Sequence, residues 1–435
     1  MLQTLLERSS PDHPFFISHD NHTLNILDLS LHERPSILAP VTPGDVVALI
    51  GNYDSTSISL LIHLLSLSAI VVPLTHETLG QHEYFLTTSC ANYVIDTRQF
   101  PLQLVSLASP ATQSPLLSEF KLLRKAGLIL FTSGSTGKPK AILHDLDTLL
   151  SRYTELRPAL RSLSFLQFDH IGGLNTLFHM MFNFGTVVSI PSVGVSDVIR
   201  TINHHNIELL PATPTFLRLL SLYPGLSPQL LPSLKIISYG TERMDPFTLE
   251  TLCDLLPEVS IKQTYGMSEL GILRIASQSR NSLYIKVAGS FVETKIVDGI
   301  LYIRSSSRMV GYLNAPSPFD GHGWYCTNDI VEQGSDGYFK IVGRNSDFIN
   351  VAGLKFLPRE VELVVLKYSG VLYAKVVGVD NPITGQYVSL LIEPSRESFD
   401  LDDFTGYLKS NLPRHMFPSS IRLGKVPVSH RMKQL

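Results

Sequence analysis

A segment rich in glycine, hydroxyl residues and lysine directly follows an apolar run in the first third of the chain. Residues 128–131 are Leu-Ile-Leu-Phe, and residues 132–140 are Thr-Ser-Gly-Ser-Thr-Gly-Lys-Pro-Lys. Glycines let backbone N–H groups approach an anion closely, hydroxyls add uncharged donors, and lysines add positive charge. An apolar run that ends in such a segment predicts a buried strand leading into a phosphate-binding turn. The chemistry that we expect here is the binding of a nucleoside triphosphate.

The spacing of this segment differs from that of the common P-loop. Gly134 and Gly137 are too close together, and Lys138 is followed by Pro139 instead of Ser or Thr. The composition alone is also typical of a surface loop rich in turn formers. The order of residues, however, resembles the phosphate loop of the AMP-forming adenylating enzymes, which include acyl- and aryl-CoA ligases, nonribosomal peptide synthetase adenylation domains and firefly luciferase. The resemblance implies that the ATP phosphates are held by Thr132, Ser133, Gly134, Ser135, Thr136, Gly137 and Lys140.

A second motif, Gln-Thr-Tyr-Gly-Met-Ser-Glu at residues 263–269, follows an apolar segment that predicts a strand end. Ligands bind at such ends in open α/β sheets. Tyr-Gly turns and acidic helix starts are frequent, so the heptad by itself is also consistent with an ordinary turn. It resembles the YGxTE motif of the same family, with Ser in place of Thr. The resemblance implies that Glu269 binds Mg²⁺, that Ser268 contacts the α-phosphate, and that Tyr265 and Gly266 contact the nucleotide.

A third motif, Gly-Trp-Tyr-Cys-Thr-Asn-Asp at residues 323–329, resembles the family's GWYRTGD. The resemblance implies that Asp329 holds the ribose hydroxyls, for which a carboxylate is a good acceptor. A solvated turn residue is the alternative interpretation. Asn328 stands where Gly is usual, and we expect it to be tolerated because Asn adopts left-handed backbone conformations more readily than most residues.

A fourth motif, residues 343–353, resembles the GRxxDxINVxG segment found where the family's two domains meet. The resemblance implies that Arg344 contacts the ribose or a phosphate and that the chain pivots at Ser346 or Asp347. It also implies that Gly353 lines the tunnel for the pantetheine of coenzyme A.

Three further matches complete the set. The segment with Gly240, Thr241 and Glu242 resembles the one that packs against adenine. His170 lies in Phe-Asp-His-Ile-Gly-Gly, which resembles a motif that gates the acyl pocket, although a lone His is more often structural. Lys433 fits the family's lysine that stabilises the adenylation transition state, with Met in place of the preceding Gly.

Length and composition indicate a large protein with an ample core. The chain has 435 residues, of which 44% are hydrophobic and 17% charged, which predicts one large domain plus a smaller one. The net charge of -3 provides no basic field for nucleic acid. The 15 histidines show no pair with zinc-ligand spacing.

Cysteine usage and hydropathy predict a cytoplasmic location. Cys90, Cys253 and Cys326 are few and far apart, which suits a reducing compartment. The N-terminal residues lack a basic start followed by a long apolar run, so we expect no signal peptide. The most apolar stretch, residues 58–74, is too short and too polar for a membrane span.

Short β-branched runs alternate with helical stretches, which predicts an α/β fold with parallel sheets covered by helices. The predicted strands are residues 46–50, 70–74, 93–95, 129–131, 187–190, 208–210 and 236–239. The predicted helices include residues 55–67, 215–223 and 245–256.

The pattern changes near residue 292. Residues 294–297 and 300–303 flank an Asp-Gly pair, which is a hairpin signal, and residues 338–342 add a strand. The tail then predicts an α+β domain with helices at 358–366 and 401–412 and strands at 374–379 and 387–392. We therefore predict a large N-terminal domain, residues 1–345, with two helix-covered sheets, a small β-barrel-like subdomain and the ATP and acyl sites. A hinge joins it to a small mobile C-terminal domain, residues 346–435, that carries the catalytic lysine.

The resemblance implies a two-step reaction in which a carboxylic acid reacts with ATP and Mg²⁺ to give an acyl-adenylate and pyrophosphate, and a thiol then displaces AMP. Coenzyme A is the acceptor favoured by residues 350–353 and 169–173. A carrier-protein phosphopantetheine is the alternative, because Asp169 could bind the α-amino group of an amino acid. A nucleotide-binding protein that has lost catalysis is the third hypothesis, motivated by Ala141, Cys326, Asn328 and Met432 at positions where the family usually has other residues.

Overall fold

A computed structural model describes residues 12–29, 34–108, 114–132, 138–153, 155–289, 292–396, 398–429 and 432–434. Two seven-stranded sheets form the centre of the larger part. The first has the spatial order Gly311–Tyr312, Ala141–Asp145, Gly127–Phe131, Ile70–Leu74, Val46–Ile50, Tyr93–Asp96 and Val105–Ser106. The second has the order Ser260–Gln263, Ile236–Tyr239, Leu209–Ala212, Arg161–Leu163, Thr186–Val188, Pro14–Ile17 and Thr23–Asn25.

Two smaller sheets and a hairpin follow along the chain. The hairpin pairs Tyr265–Met267 with Gly271–Leu273. A six-stranded antiparallel sheet has the order Ile275–Ser277, Ile285–Val287, Phe339–Arg344, Tyr325–Gln333, Ile300–Ser305 and Val292–Val297. The last sheet contains Leu354–Phe356, Ile349–Val351, Gly385–Pro394 and Val371–Asn381, with Ser420–Leu423 parallel to Gly385–Pro394.

Helices cover these sheets. In the part of the chain that the structure describes, the α-helices are Ser55–Ser66 (α1), His82–Ser89 (α2), Pro115–Leu122 (α3), Leu146–Leu150 (α4), Ile171–Phe182 (α5), Val195–His205 (α6), Pro214–Ser221 (α7), Pro246–Leu255 (α8), Pro358–Lys367 (α9) and Leu401–Asn411 (α10). Several helices begin at a side chain that caps the first turn. The Asp54 side chain accepts from the Ser57 N–H in α1, the Thr213 side chain accepts from the Phe216 N–H in α7, and the Asp245 side chain accepts from the Thr248 N–H in α8.

The two large sheets share one layer of helices. Residues of α1, α4 and α5 pack between the sheets in a single buried cluster. Helices α2 and α3 cover the far face of the first sheet, and α6, α7 and α8 cover the far face of the second. The central strands Val46–Ile50 and Ile70–Leu74 are buried at every position, because helices lie on both of their faces.

The predicted elements are present, with ends that move by a few residues. The predicted strands at 187–190 and 208–210 become Thr186–Val188 and Leu209–Ala212, for example. The sheets are not purely parallel, however. Strand Ala141–Asp145 pairs antiparallel with Gly127–Phe131, and both sheets carry antiparallel edge strands. The sequence did not predict Ala141–Asp145 as a strand, because its His and Asp interrupt the apolar pattern.

A separate hydrophobic core lies in the C-terminal part. It gathers buried residues between Ile349 and Leu412 from the last sheet and from α9 and α10. Residues Asn345–Asp347 form a short 3₁₀ turn between this core and the six-stranded sheet. The predicted domain boundary at Ser346 falls in this turn and stays a prediction.

Arg218, on α7, connects the C-terminal part to the second sheet's helices. Its guanidinium donates to the carbonyl oxygens of Val371 at 2.9 Å and of Leu366 at 3.5 Å, and also to that of Leu372. Its Nη1 lies 3.7 Å from a carboxylate oxygen of Asp245, and the Arg218 side chain is 10% exposed. A buried cation that binds three carbonyl groups of one unit holds that unit in a fixed position.

Replacing Arg218 with Met removes these donors and leaves buried carbonyl groups without a partner. We expect the C-terminal part to dock less tightly while each core stays folded, so proteolytic cleavage near residues 345–348 should accelerate at least tenfold. Limited proteolysis with mass spectrometry measures this. Arg200→Met is the matched control, since the Arg200 side chain is 75% exposed and makes an ion pair with Asp197 on its own helix. Equal cleavage rates in Arg218→Met and the unaltered protein would contradict the docking role.

Candidate functional site

The predicted phosphate loop connects two antiparallel strands. Strand Gly127–Phe131 leads into Thr132, and Lys140 precedes Ala141–Asp145. The Thr132 N–H donates to the Lys140 carbonyl at 3.1 Å, and the Lys140 N–H donates to Thr132 Oγ1 at 3.2 Å. These two bonds close the base of the loop. Ser133, Gly134, Ser135, Thr136 and Gly137 lie outside the described residues.

Tyr312 connects the end of this loop to Glu269. The Lys140 ammonium lies 4.9 Å from the centre of the Tyr312 ring, and the Tyr312 hydroxyl donates to Glu269 Oε1 at 2.5 Å. Burial, with a further contribution from Glu269, raises the pKa of Tyr312, so its hydroxyl stays protonated and remains a donor. Sequence reasoning missed Tyr312, because a Tyr after a Gly carries no signal until Gly311–Tyr312 is seen to pair with Ala141–Asp145.

His144 holds the backbone of the segment that contains Ser268. Its Nε2–H donates to the Ser268 carbonyl at 2.8 Å, and the side chain is buried. Burial lowers the pKa of His144 to about 4, so the imidazole is neutral at physiological pH. Gly266 lies in the hairpin strand next to Gly271, so close that a Cβ on Gly266 would overlap the Gly271 carbonyl oxygen. One hairpin and one buried His thus hold the backbone around Gly266 and Ser268, and the predicted ligand contacts of this segment stay predictions.

Asp329 lies between Tyr265 and Arg344. The Tyr265 hydroxyl donates to Asp329 Oδ2 at 2.6 Å, and Arg344 Nε lies 3.4 Å from Oδ1. Burial raises the pKa of Asp329, whereas both partners favour its charged form. Asn328 has a φ of 57°, the left-handed conformation that the sequence predicted it would tolerate. The structure therefore brings three predicted nucleotide-binding residues, which are distant in sequence, into one contact.

Glu242 has contacts that the sequence did not predict. Its Oε2 accepts from the Thr215 hydroxyl at 2.7 Å, and its Oε1 accepts from the Gln434 N–H at 2.7 Å. Burial raises the pKa of Glu242, while these partners and nearby Lys433 lower it. Both carboxylate oxygens are engaged by protein donors, so the side chain contacts the C-terminal segment. The predicted adenine contact of Glu242 stays a prediction.

Gly240 and Thr241 form a tight bend after strand Ile236–Tyr239. A Cβ on Gly240 would overlap the Thr264 hydroxyl, which itself donates to the Tyr239 carbonyl at 3.0 Å. Thr241 has a φ of 72°, a conformation that is costly for a β-branched residue. The bend lies at the carboxyl ends of two parallel strands, which is the edge where open α/β sheets bind ligands.

The segment that carries Lys433 is docked beside Thr213 and Glu242. The Thr213 hydroxyl donates to the Met432 carbonyl at 2.6 Å, and the Lys433 N–H donates to the Ser429 hydroxyl at 3.3 Å. Met432 has a φ of 51°, in the region where Gly is favoured. This conformation explains why the family pattern has Gly there and costs Met about 1 kcal/mol.

His170 and Gly353 lie apart from these contacts. His170 caps α5, because its Nδ1 accepts from the Gly172 N–H at 3.0 Å. Gly353 has a φ of 88°, and a Cβ placed on it would meet no described atom within 4 Å. The structure thus shows a capping role for His170 and an open turn at Gly353. Their predicted roles at the acyl pocket and the pantetheine tunnel stay predictions.

Among the described residues, no three His, Cys, Asp or Glu side chains are grouped as a metal site would require. No helix within the described ranges has the length and apolar character needed to cross a membrane.

Comparisons with known proteins identify the family of the chain. The family described as AMP-binding enzyme matches residues 11–313. The chain is 24% identical to 4-coumarate–CoA ligase-like 6 from Arabidopsis thaliana, over 95% of this chain and 84% of that protein. It is 23% identical to 2-succinylbenzoate–CoA ligase from Listeria monocytogenes, over 88% of this chain and 85% of that protein.

Solved structures share the fold. ATP-bound MatB from Rhodopseudomonas palustris superposes with a TM-score of 0.82 at 17% identity, over 98% of this chain and 95% of that one. The Bacillus subtilis o-succinylbenzoate CoA synthetase, in complex with its acyl-adenylate intermediate, gives a TM-score of 0.78 at 20% identity, over 100% of this chain and 96% of that one. The predicted fold class is confirmed.

The buried neutral His144 makes stability depend on pH. Its pKa is about 4 in the folded state, below its value in the unfolded chain. The contribution of neutral His144 to the free energy of unfolding is therefore complete above about pH 6.5 and is lost as the pH falls towards 4. We expect a loss of about 2 kcal/mol in the free energy of unfolding between pH 6.5 and pH 5 from this group alone.

Urea unfolding followed by circular dichroism at pH 7.5, 6.5 and 5 measures this effect. His144→Gln keeps an N–H donor for the Ser268 carbonyl but does not titrate, so its stability should depend less on pH. His322→Gln, at an exposed position, is the control. An unchanged pH dependence in His144→Gln would show that the proton is taken up elsewhere.

Proposed function

Because the chain belongs to the AMP-binding enzyme family, we propose that it activates a carboxylic acid with ATP and transfers the acyl group to coenzyme A. The first step joins the acid to AMP and releases pyrophosphate. The second step replaces AMP by a thiol. Known relatives that span most of the chain are named as CoA ligases, which favours coenzyme A as the acceptor.

The connection from Lys140 through Tyr312 to Glu269 is the observation that carries this proposal. It joins the end of the predicted phosphate loop to the predicted metal ligand, although these residues are far apart in sequence. In the first step an anionic carboxylate must approach a negatively charged α-phosphate. Such a reaction is accelerated chiefly by fixed positive charge and hydrogen-bond donors at the reacting groups. Lys140 and Lys433 would supply that charge from two sides.

Glu269 fits the Mg²⁺ that usually accompanies ATP. It offers a hard carboxylate in a buried position, and Mg²⁺ binds through one or two carboxylates together with substrate phosphates. The ion would neutralise phosphate charge. Tyr312 would orient the Glu269 carboxylate for it.

Asp329 would bind the ribose hydroxyls. Each of its oxygens already accepts from one protein donor, Tyr265 or Arg344, and a carboxylate oxygen has a second lone pair available. The hydrogen bond from Tyr265 and the ion pair with Arg344 would keep the Asp329 carboxylate charged and oriented towards the ribose. His144, by holding the Ser268 backbone, would fix the position of a hydroxyl that we assign to the α-phosphate.

The second step requires the Lys433 segment to leave so that a thiol can enter. Contacts between described residues that hold it include those of Thr213 with Met432, Glu242 with Gln434, and Arg218 with the start of strand Val371–Asn381. A rotation about Ser346 and Asp347 would break them together. At the 3₁₀ turn, Asp347 makes an ion pair with Arg243 at 3.9 Å, a weak restraint.

Transfer to a carrier protein is a weaker alternative. It depended on Asp169 binding an α-amino group, but Asp169 is buried and its Oδ2 accepts from the Thr75 hydroxyl at 3.3 Å. Loss of catalysis is weaker still, since the residues expected to carry charge are present. The cytoplasmic location stays a prediction.

Pyrophosphate release tests the proposed function. We expect purified protein with ATP and Mg²⁺ to release pyrophosphate in the presence of one class of carboxylic acids, and coenzyme A to raise turnover by removing the adenylate. A panel of aromatic, aliphatic and amino acids, each with and without coenzyme A, separates the acceptors. Pyrophosphate exchange that depends on an amino acid and is indifferent to coenzyme A would favour the carrier-protein alternative. No acid-dependent release at all would overturn the enzyme proposal.

Replacing Lys433 with Ala should slow adenylate formation about a hundredfold or more, because it removes positive charge at the developing transition state. ATP–Mg²⁺ affinity, measured by isothermal titration, should change less than threefold. Thiol transfer from a supplied acyl-adenylate should be nearly unaffected.

The control is Lys409→Ala, at an exposed position on α10. A Lys433→Ala protein that loses both half-reactions equally would contradict a role confined to the first step.

A further inference from the structure

Backbone hydrogen bonds tie Lys433 to the residues that precede it. The Ser429 N–H donates to the Lys433 carbonyl at 2.7 Å, and the Met432 N–H donates to the Ser429 carbonyl at 2.9 Å. Val428 and Gln434 face each other in an antiparallel bridge. These bonds fix the backbone beside Lys433 relative to Ser429. They do not fix the segment relative to the rest of the molecule, which requires contacts outside it.

Glu242 accepts a hydrogen bond from the backbone directly after Lys433. Its Oε1 accepts from the Gln434 N–H at 2.7 Å. Its Oε2 accepts from the Thr215 hydroxyl at 2.7 Å and from the Thr215 N–H at 3.3 Å. Hydrogen bonds to a carboxylate are stronger than those between neutral groups. Three donors therefore hold this carboxylate in one orientation, and one of the three belongs to the segment of Lys433.

The start of helix α7 holds the residue on the other side of Lys433. The Thr213 hydroxyl donates to the Met432 carbonyl at 2.6 Å. In the same turn, the Thr215 carbonyl accepts from the Tyr373 hydroxyl at 2.9 Å, which ties the C-terminal sheet to this place. The backbone is thus bound to the larger part of the molecule immediately before Lys433 as well as immediately after it.

A tightly packed bend determines where the Glu242 carboxylate lies. Glu242 directly follows Gly240 and Thr241, at the sheet edge where we place the nucleotide. A Cβ on Gly240 would overlap the Thr264 hydroxyl, and Thr241 has a φ of 72°. A backbone packed this closely has little freedom to shift. The position of the Gln434 N–H is therefore set by the nucleotide edge of the second sheet.

We propose that Glu242 is a positioning residue for Lys433, which holds the Lys433 segment so that the ammonium group meets the α-phosphate during adenylate formation. The inference rests on the proposed function and adds a residue to it. A shift of about 1 Å in a reacting group can cost about a hundredfold in rate. The lysine side chain is long and flexible, so its ammonium group is placed accurately only if the backbone beside it is fixed. Glu242 acts on that backbone and not on the reacting atoms.

Glu242→Ala leaves the Gln434 N–H without this acceptor. We expect adenylate formation, measured as single-turnover pyrophosphate release, to slow about thirtyfold, and ATP–Mg²⁺ affinity to change less than about threefold. Thiol transfer from a supplied acyl-adenylate should be nearly unaffected, because it does not use Lys433. Glu242→Gln keeps an acceptor oxygen without the charge and should recover most of the rate. Glu250→Ala, at an exposed position on α8, is the control.

The backbone donor of residue 434 can be removed without touching Glu242. Gln434→Pro deletes the N–H, whereas Gln434→Ala keeps it and shortens only the side chain. Gln434→Pro should match Glu242→Ala in both half-reactions, and Gln434→Ala should behave as the unaltered protein. The double variant Glu242→Ala, Gln434→Pro should be no slower than either single variant, because both changes break the same contact. Circular dichroism reports whether each variant keeps its fold.

Three results would overturn the inference. The first is an equal slowing of both half-reactions in Glu242→Ala and in Gln434→Pro, which indicates general damage to the structure. The second is a rate in the double variant that equals the product of the two single effects. The third is a Gln434→Ala protein as slow as Gln434→Pro. Each of these results would leave the proposed function standing.

Hydrogen–deuterium exchange separates a failure of this inference from a failure of the proposed function. Without substrates, the remaining amides of residues 428–434 should exchange at least about tenfold faster in Glu242→Ala and Gln434→Pro than in the unaltered protein and Gln434→Ala. Equal exchange in all four proteins would contradict the positioning role. If no acid releases pyrophosphate, the proposed function fails, and the exchange rates alone decide whether Glu242 holds the segment.

Discussion

The contact of Lys140 with Tyr312, and of Tyr312 with Glu269, joins parts of the molecule that the chain brings together only through its sheets. Lys140 directly precedes strand Ala141–Asp145 of the first sheet, Tyr312 lies on the edge strand paired with it, and Glu269 belongs to the turn of a separate hairpin. A tyrosine hydroxyl that donates to a buried carboxylate supplies a hydrogen bond to the charged oxygen and fixes the orientation of the carboxylate group. Everything proposed about the phosphates and the metal depends on this arrangement, because a carboxylate of undefined direction cannot orient a small ion.

The docking of the C-terminal part is the second constraint. Among the described residues it includes the polar contacts of Arg218 with three carbonyl groups and of Glu242 with the Gln434 N–H. Met432 also packs against the core of the second sheet, while the C-terminal part keeps a core of its own. Such an interface suits a unit that must be held firmly in one step and released in another.

The sequence by itself determined the family, the fold class and most of the elements, because short motifs and hydrophobic periodicity are local properties of the chain. The phosphate loop, the hairpin motif around Glu269 and the left-handed position of Asn328 could all be inferred from residue types and order. It did not reveal Tyr312 or His144, since neither has a distinctive neighbour in the chain. Only the tertiary structure decided their roles, because a hydrogen bond to Glu269 and a buried neutral imidazole behind Ser268 each arise when distant strands pair and exclude water.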